Sequence, residues 1–230
     1  MTTYRSFTGY SASTLGISED PIVNETFNIT GAASLQIIFR DDDADTNVGG
    51  DVTNEASSDG DQSVYITDNG GTVLEDGSAV YLEASFTYTI AGDPTVYTGY
   101  MFETDNVSGF DFVIFEAGTP AGAATITSVN FNPSPNSVEY SVLQSGDETF
   151  DTTTSTGLNL NDDDLIVAGD GNDTINGGGG SDFLSGGDGD DVFNLTDFPE
   201  GAGPVTGGVT GGTPTVVNQT TATNQSPPKM

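Results

Sequence analysis

Four aspartates stand nine residues apart: Asp164, Asp173, Asp182 and Asp191. Two residues after each comes a large apolar side chain: Ile166, Ile175, Leu184 and Phe193. Glycines precede the aspartates at fixed places, with Gly169, Gly178 and Gly187 at position two of three nine-residue units and Gly171, Gly180 and Gly189 at position four. Carboxylates and glycine carbonyls are hard oxygen donors, the ligand set that suits Ca²⁺. The chain has no Cys and no His, which removes thiolate chemistry, His-based triads and most zinc or iron sites.

The units read NLNDDDLIV, AGDGNDTIN, GGGGSDFLS and GGDGDDVFN over residues 159–194. This is the G-G-x-G-x-D-x-U-x pattern of calcium-binding parallel β-helices. It resembles the RTX (haemolysin-type) nonapeptide-repeat family of secreted bacterial proteins, over about 36 residues. The resemblance implies a β-roll in which each unit supplies a turn and a short strand. Its turns need glycine because the backbone there visits conformations that a Cβ forbids. One full coil then takes 18 residues, so Asp164 pairs with Asp182 on one edge and Asp173 with Asp191 on the other. Two calcium sites are expected, with like-charge repulsion opening the coil when the ion is removed. The competing reading of a Gly/Asp-rich stretch is a disordered linker; the regular apolar position argues against it.

Around this stretch the composition is strongly acidic, with 35 Asp and Glu against three basic residues and a net charge of −32. That excludes electrostatic attraction to nucleic acid or to anionic membranes, and it favours cations as partners. Leu, Ile, Val and Phe total 52 of the 230 residues, enough for a folded core. No apolar run is long enough to insert in a membrane as a helix. The N-terminal MTTYRSFTGYSASTLG lacks the apolar core of a cleavable signal peptide. The resemblance implies export by type I secretion instead, hence a secreted, extracellular or cell-surface location.

The elements that must carry the repeats are strands. From Phe27 to about Leu143 apolar residues alternate in twos, most clearly at Val80, Leu82, Ala84, Phe86, Tyr88 and Ile90, with polar residues between them. Asp68–Gly71 and Glu75–Gly77 carry turn residues. The expected fold is all-β: an antiparallel β-sandwich or jelly roll followed by a short parallel β-roll. The boundaries follow the composition. Residues 1–20 form an N-terminal arm, 21–145 the sandwich, 146–158 a linker, 159–198 the roll, and 199–230 an extended Gly/Thr/Pro-rich tail. Pro199 and the loss of Asp at position six are expected to stop the coil. The tail has no acidic residue beyond Glu200, so it is either a linker or an arm that adds to a neighbour's sheet.

A second group of ligands lies in the acidic loop 41–61, where Asp41, Asp43, Asp45, Asn47 and Asp51 offer oxygen atoms. It fails as an EF-hand loop, because the required glycine is Val48 and the twelfth residue is Asn54. A sandwich-edge metal loop and a solvated acidic loop both remain open. For catalysis no carboxylate pair stands out. Glu83 is the best single candidate and reads more simply as a strand glutamate. Tyr97, Tyr100 and Phe102 form a candidate sugar-stacking platform or, more simply, core.

The leading functional reading is a non-enzymatic, calcium-dependent structural protein of a bacterial surface or matrix that self-associates into filaments or layers. The alternatives are a calcium-dependent glycan-binding adhesin module, with a cell-surface glycan as partner, and the N-terminal fragment of an autoprocessed precursor. A carboxylate enzyme trails them.

Overall fold

A computed structural model describes residues 2–31, 33–41, 47–48, 62–104, 110–131, 138–144, 149–150, 164–177, 183–194, 205–206 and 215–217. The first eleven elements are β1 (Thr2–Ser11), one helical turn α1 (Ala12–Leu15), β2 (Thr26–Ile29), β3 (Leu35–Asp41), β4 (Asn47–Val48), β5 (Ser63–Asp68), β6 (Val73–Ile90), β7 (Asp93–Thr104), β8 (Asp111–Phe115), β9 (Gly122–Asn130) and β10 (Val138–Glu139). A 3₁₀ turn at Tyr140–Val142 follows. The repeat region supplies β11 (Thr149–Phe150), β12 (Asp164–Asp170), β13 (Thr174–Asn176), β14 (Phe183–Asp188), β15 (Val192–Asn194), β16 (Val205–Thr206) and β17 (Thr215–Val217). No helix among the described residues is long and apolar enough to cross a membrane.

The sandwich is all-β, and its two sheets share strands. Antiparallel pairing runs β1–β3–β5–β6–β7–β8, and the end of β1 pairs with β8 through Tyr10 and Ser11, which closes the circuit. The 18-residue β6 belongs to both sheets. Its first half pairs with β5, its second with β7 and β9. The alternation read in its sequence is the burial observed: Val80, Leu82, Ala84, Phe86, Tyr88 and Ile90 are buried and the residues between them half-buried. Aromatic side chains fill the interior, with Phe39 near Phe7, Phe102, Phe112 and Tyr140.

The turn at Asp68–Gly71 forms as the sequence predicts. The Asp68 carboxylate accepts the N–H groups of Gly70 and Thr72, both at 2.8 Å, and Gly71 takes a left-handed φ of 78°. Glu75–Gly77 is not a turn. It lies inside β6 at a break in the register with β5, with Gly77 at φ 81°. Glycine in the left-handed region serves a bulge as well as a turn, and here the strand continues past it.

Three expected boundaries are corrected. Residues 2–11 are not an arm: β1 lies inside the sheet, antiparallel to β3 and parallel to β12. The residues 146–158 include β11, which pairs in parallel with β13 and so begins the coil. The coil also does not end at Pro199, because β16 stacks in parallel on β14 and β17 on β15. The uncharged tail thus adds strands to its own chain's coil, as its Thr and Val content favours.

The coil is joined to the sandwich. One of its sheets, β12–β14–β16, continues the sandwich sheet through β1; the other is β11–β13–β15–β17. Between the two lies a core of Ile166, Ala168, Ile175, Leu184 and Phe193, contiguous with Tyr4, Ile38 and Tyr65 of the sandwich. Those three residues lie on the face of their strands opposite Phe7, Phe39 and Val64. The sandwich sheet is therefore apolar on both faces here, and the coil covers one of them. Ile38, fully buried by this arrangement, contributes roughly 1.5–3 kcal/mol.

Candidate metal centre

The coil advances 18 residues per turn. Leu165 pairs with Phe183, Ile166 with Leu184 and Gly169 with Gly187; on the other side Thr174 pairs with Val192 and Ile175 with Phe193. This register stacks the turn before β13 on the turn before β15. The Gly171 N–H donates to the Asp188 carbonyl at 2.8 Å, and the Asp190 N–H to the Asn172 side-chain oxygen at 2.9 Å. Gly187 and Gly189 hold φ of 92° and 137°. A Cβ on Gly187 would overlap the Gly169 carbonyl oxygen, and one on Gly189 that of Gly171. Glycine is needed at both places for the backbone angle and for the close approach.

The stacking brings Asp173 and Asp191 together. The Asp191 carboxylate accepts the backbone N–H of Asp173 at 3.2 Å through Oδ1. Both residues are 0% exposed, as is Asp164 at the start of β12, opposite Thr2. Asp191 Oδ2 is buried and accepts no hydrogen bond among the described residues. It packs where any side chain on Gly186 would sit. Burying a carboxylate with an oxygen unsatisfied costs several kcal/mol unless a cation pairs with it. The surrounding donors are oxygens only, which fits Ca²⁺ and disfavours softer metals. The residues present thus fit the ion. Asp173, Asp191 and the turn carbonyls of Gly169, Gly171, Gly187 and Gly189 are the groups that would hold it. Asp182, Gly178 and Gly180 lie outside the described residues, so the partner expected for Asp164 is not placed.

Of the second ligand group, Asp43, Asp45 and Asp51 also lie outside the described residues. Asp41 ends β3, and Asn47 pairs with Glu139 of β10.

The structure assembles one acidic group that the linear sequence does not show. Glu83 of β6, Glu103 of β7 and Asp111 of β8 bring carboxylate oxygens within 4.8 Å of one another. Tyr81 O–H donates to Glu103. Burial, then the charges of Asp111, Glu103, Asp20 and Glu19, push Glu83 up to about 7. Burial, then Glu103, Glu19 and Asp20, push Asp111 up to about 6. The only signal in the sequence was Glu83 on its strand; the other two join it through cross-strand register. Groups with a folded pKa above the unfolded one add stability at low pH, and that contribution is lost as pH rises through the folded value. At constant saturating calcium, the melting temperature of the sandwich should therefore fall between pH 5 and pH 8. Glu83→Gln should flatten the dependence. A wild-type melting temperature flat over this range, read by near-ultraviolet circular dichroism, would contradict the assignment.

The candidate sugar platform does not form. Phe102 is fully buried, and Tyr97 stacks on Tyr88 with its O–H donating to Asp93 at 2.7 Å.

A parallel coil of 18-residue pitch with buried aspartates along its turns defines the chain's C-terminal part as a calcium-binding β-roll. Residues 160–193 match the RTX calcium-binding nonapeptide repeat, in four copies. No curated protein and no solved structure matches the chain.

Proposed function

We propose that this chain is a secreted, non-enzymatic structural protein of a bacterial surface or extracellular matrix, made rigid by calcium and joined to copies of itself. The observation that carries the reading is the construction of the coil. Its calcium turns are continuous with the sandwich sheet at one end. At the other, β16 and β17 are the last strands of their sheets among the described residues. An end strand offers a row of backbone groups to a further strand, here from a second copy. A net charge of −32 keeps copies apart until cations neutralise it. Extracellular calcium supplies both the fold of the coil and the loss of repulsion, while calcium-poor cytoplasm leaves the chain extended for type I export.

Sedimentation velocity of the full chain tests this. In millimolar calcium the chain should shift from monomer to large species, and chelator should reverse the shift. Deleting residues 205–230 should weaken association while leaving calcium bound. A monomer at every calcium concentration would overturn the assembly reading and leave a calcium-binding β-roll protein.

A further inference from the structure

Strand β12 opens one sheet of the coil, and its two neighbours differ in origin. On one side it pairs with β14, one coil turn later; on the other it pairs in parallel with β1, Thr2–Arg5 against Asp164–Val167. A stack of repeats leaves its first strand with an open edge unless a cap covers it. The sequence of the first unit fits a capped position. In NLNDDDLIV, Leu160 and Asp162 stand where the later units have glycine at positions two and four. Terminal repeats depart in this way from the pattern of the internal ones.

Tyr4 is the side chain through which β1 meets the coil. It stands opposite Ile166 of β12 and opposite Arg40 of β3, and it is fully buried. Its cluster joins Ile166, Ala168 and Leu184 of the coil to Ile38 and Tyr65 of the sandwich. Phe7, on the other face of β1, packs instead against Phe39 and Tyr140 inside the sandwich. The β1 pairing ends at Val167, but β12 runs on to Asp170, in register with Asp188, and into the turn that carries Asp173. One end of β12 is therefore held by the sandwich, and the other enters the calcium turn. A strand already held loses less conformational freedom when the ion orders its turn, so the ion binds more tightly. We infer that β1 is the N-terminal cap of the calcium coil and that Tyr4 is a positioning residue for calcium. It supplies no ligand; it fixes β12 so that the turns of Gly169–Asp173 and Gly187–Asp191 stack at lower calcium. This inference rests on the calcium coil and not on self-assembly.

The test is calcium titration calorimetry of the full chain, with near-ultraviolet circular dichroism in chelator to report that the sandwich is folded. Tyr4→Ala should weaken calcium binding roughly 10-fold or more while the number of ions bound stays that of wild type. Loss of affinity at constant stoichiometry separates a positioning residue from a ligand. Tyr4→Phe keeps the ring and should bind within about 2-fold of wild type. Phe7→Leu, on the opposite face of the same strand, is the control: it should lower the melting temperature of the sandwich and leave calcium affinity within about 2-fold. Tyr4→Leu decides the matter if Tyr4→Ala does not fold, with a loss of roughly 3-fold or more expected. Wild-type affinity in the folded Tyr4→Ala or Tyr4→Leu variant, a reduced ion count in it, or an equal loss in Phe7→Leu would overturn the inference. None of these results depends on whether the chain polymerises.

Discussion

In excess chelator the amides of β12 to β15 should exchange about 10⁴-fold faster than in saturating calcium, while those of β6, β7 and β8 stay nearly unchanged. A ligand that binds only the folded state at about 100 times its Kd stabilises that state by about 2.7 kcal/mol per site, a factor of about 100. Two sites acting on one coil multiply to about 10⁴. The coil has few other resources: among the described residues its core is five side chains, and its turns hold buried carboxylates. The sandwich has its own closed circuit of strands and its own aromatic interior. A smaller acceleration is expected in β1, β3 and β5, whose Tyr4, Ile38 and Tyr65 lose their cover when the coil opens. Hydrogen exchange read by mass spectrometry separates these segments. Equal protection of the coil with and without calcium would show that the ion does not hold it.

Asp173→Ala and Asp191→Ala should each reduce the number of calcium ions bound by one, whereas Asp188→Ala should leave the number unchanged. The first two residues come from successive turns and meet through the Asp173 N–H and the Asp191 carboxylate. Removing either leaves one carboxylate to face the ion, and calcium affinity depends on the count of charged ligands. Asp188, at the third place of its unit, is exposed, and its backbone carbonyl accepts the Gly171 N–H whatever its side chain. Alanine there keeps that bond. Isothermal titration of the full chain gives the stoichiometry directly. One value shared by all three variants would refute the pairing of Asp173 with Asp191.

The coil was legible in the sequence because a repeat encodes its own neighbours. A nine-residue period carries an 18-residue pitch with it, and the observed register of Gly169 with Gly187 and of Ile175 with Phe193 follows without reference to any other part of the chain. The inward face of β6 was legible for a similar reason, since one side of the strand is core and the other is not. What the sequence hid is what depends on partners far away in the chain. Strand β1 reads as an arm because it is buried on both faces where the coil meets the sandwich: Tyr4 faces the coil and Phe7 the sandwich, and the alternation that marks a one-sided strand is lost. The acidic triad of Glu83, Glu103 and Asp111 needs the register of three strands before its members meet. The last turn of the coil is built from a tail with neither the aspartate nor the glycine pattern, held by backbone pairing to β14 and β15. Local periodicity determined the calcium turns by itself; tertiary structure alone decided what they rest on, because strand pairing satisfies backbone groups regardless of the side chains that announce it.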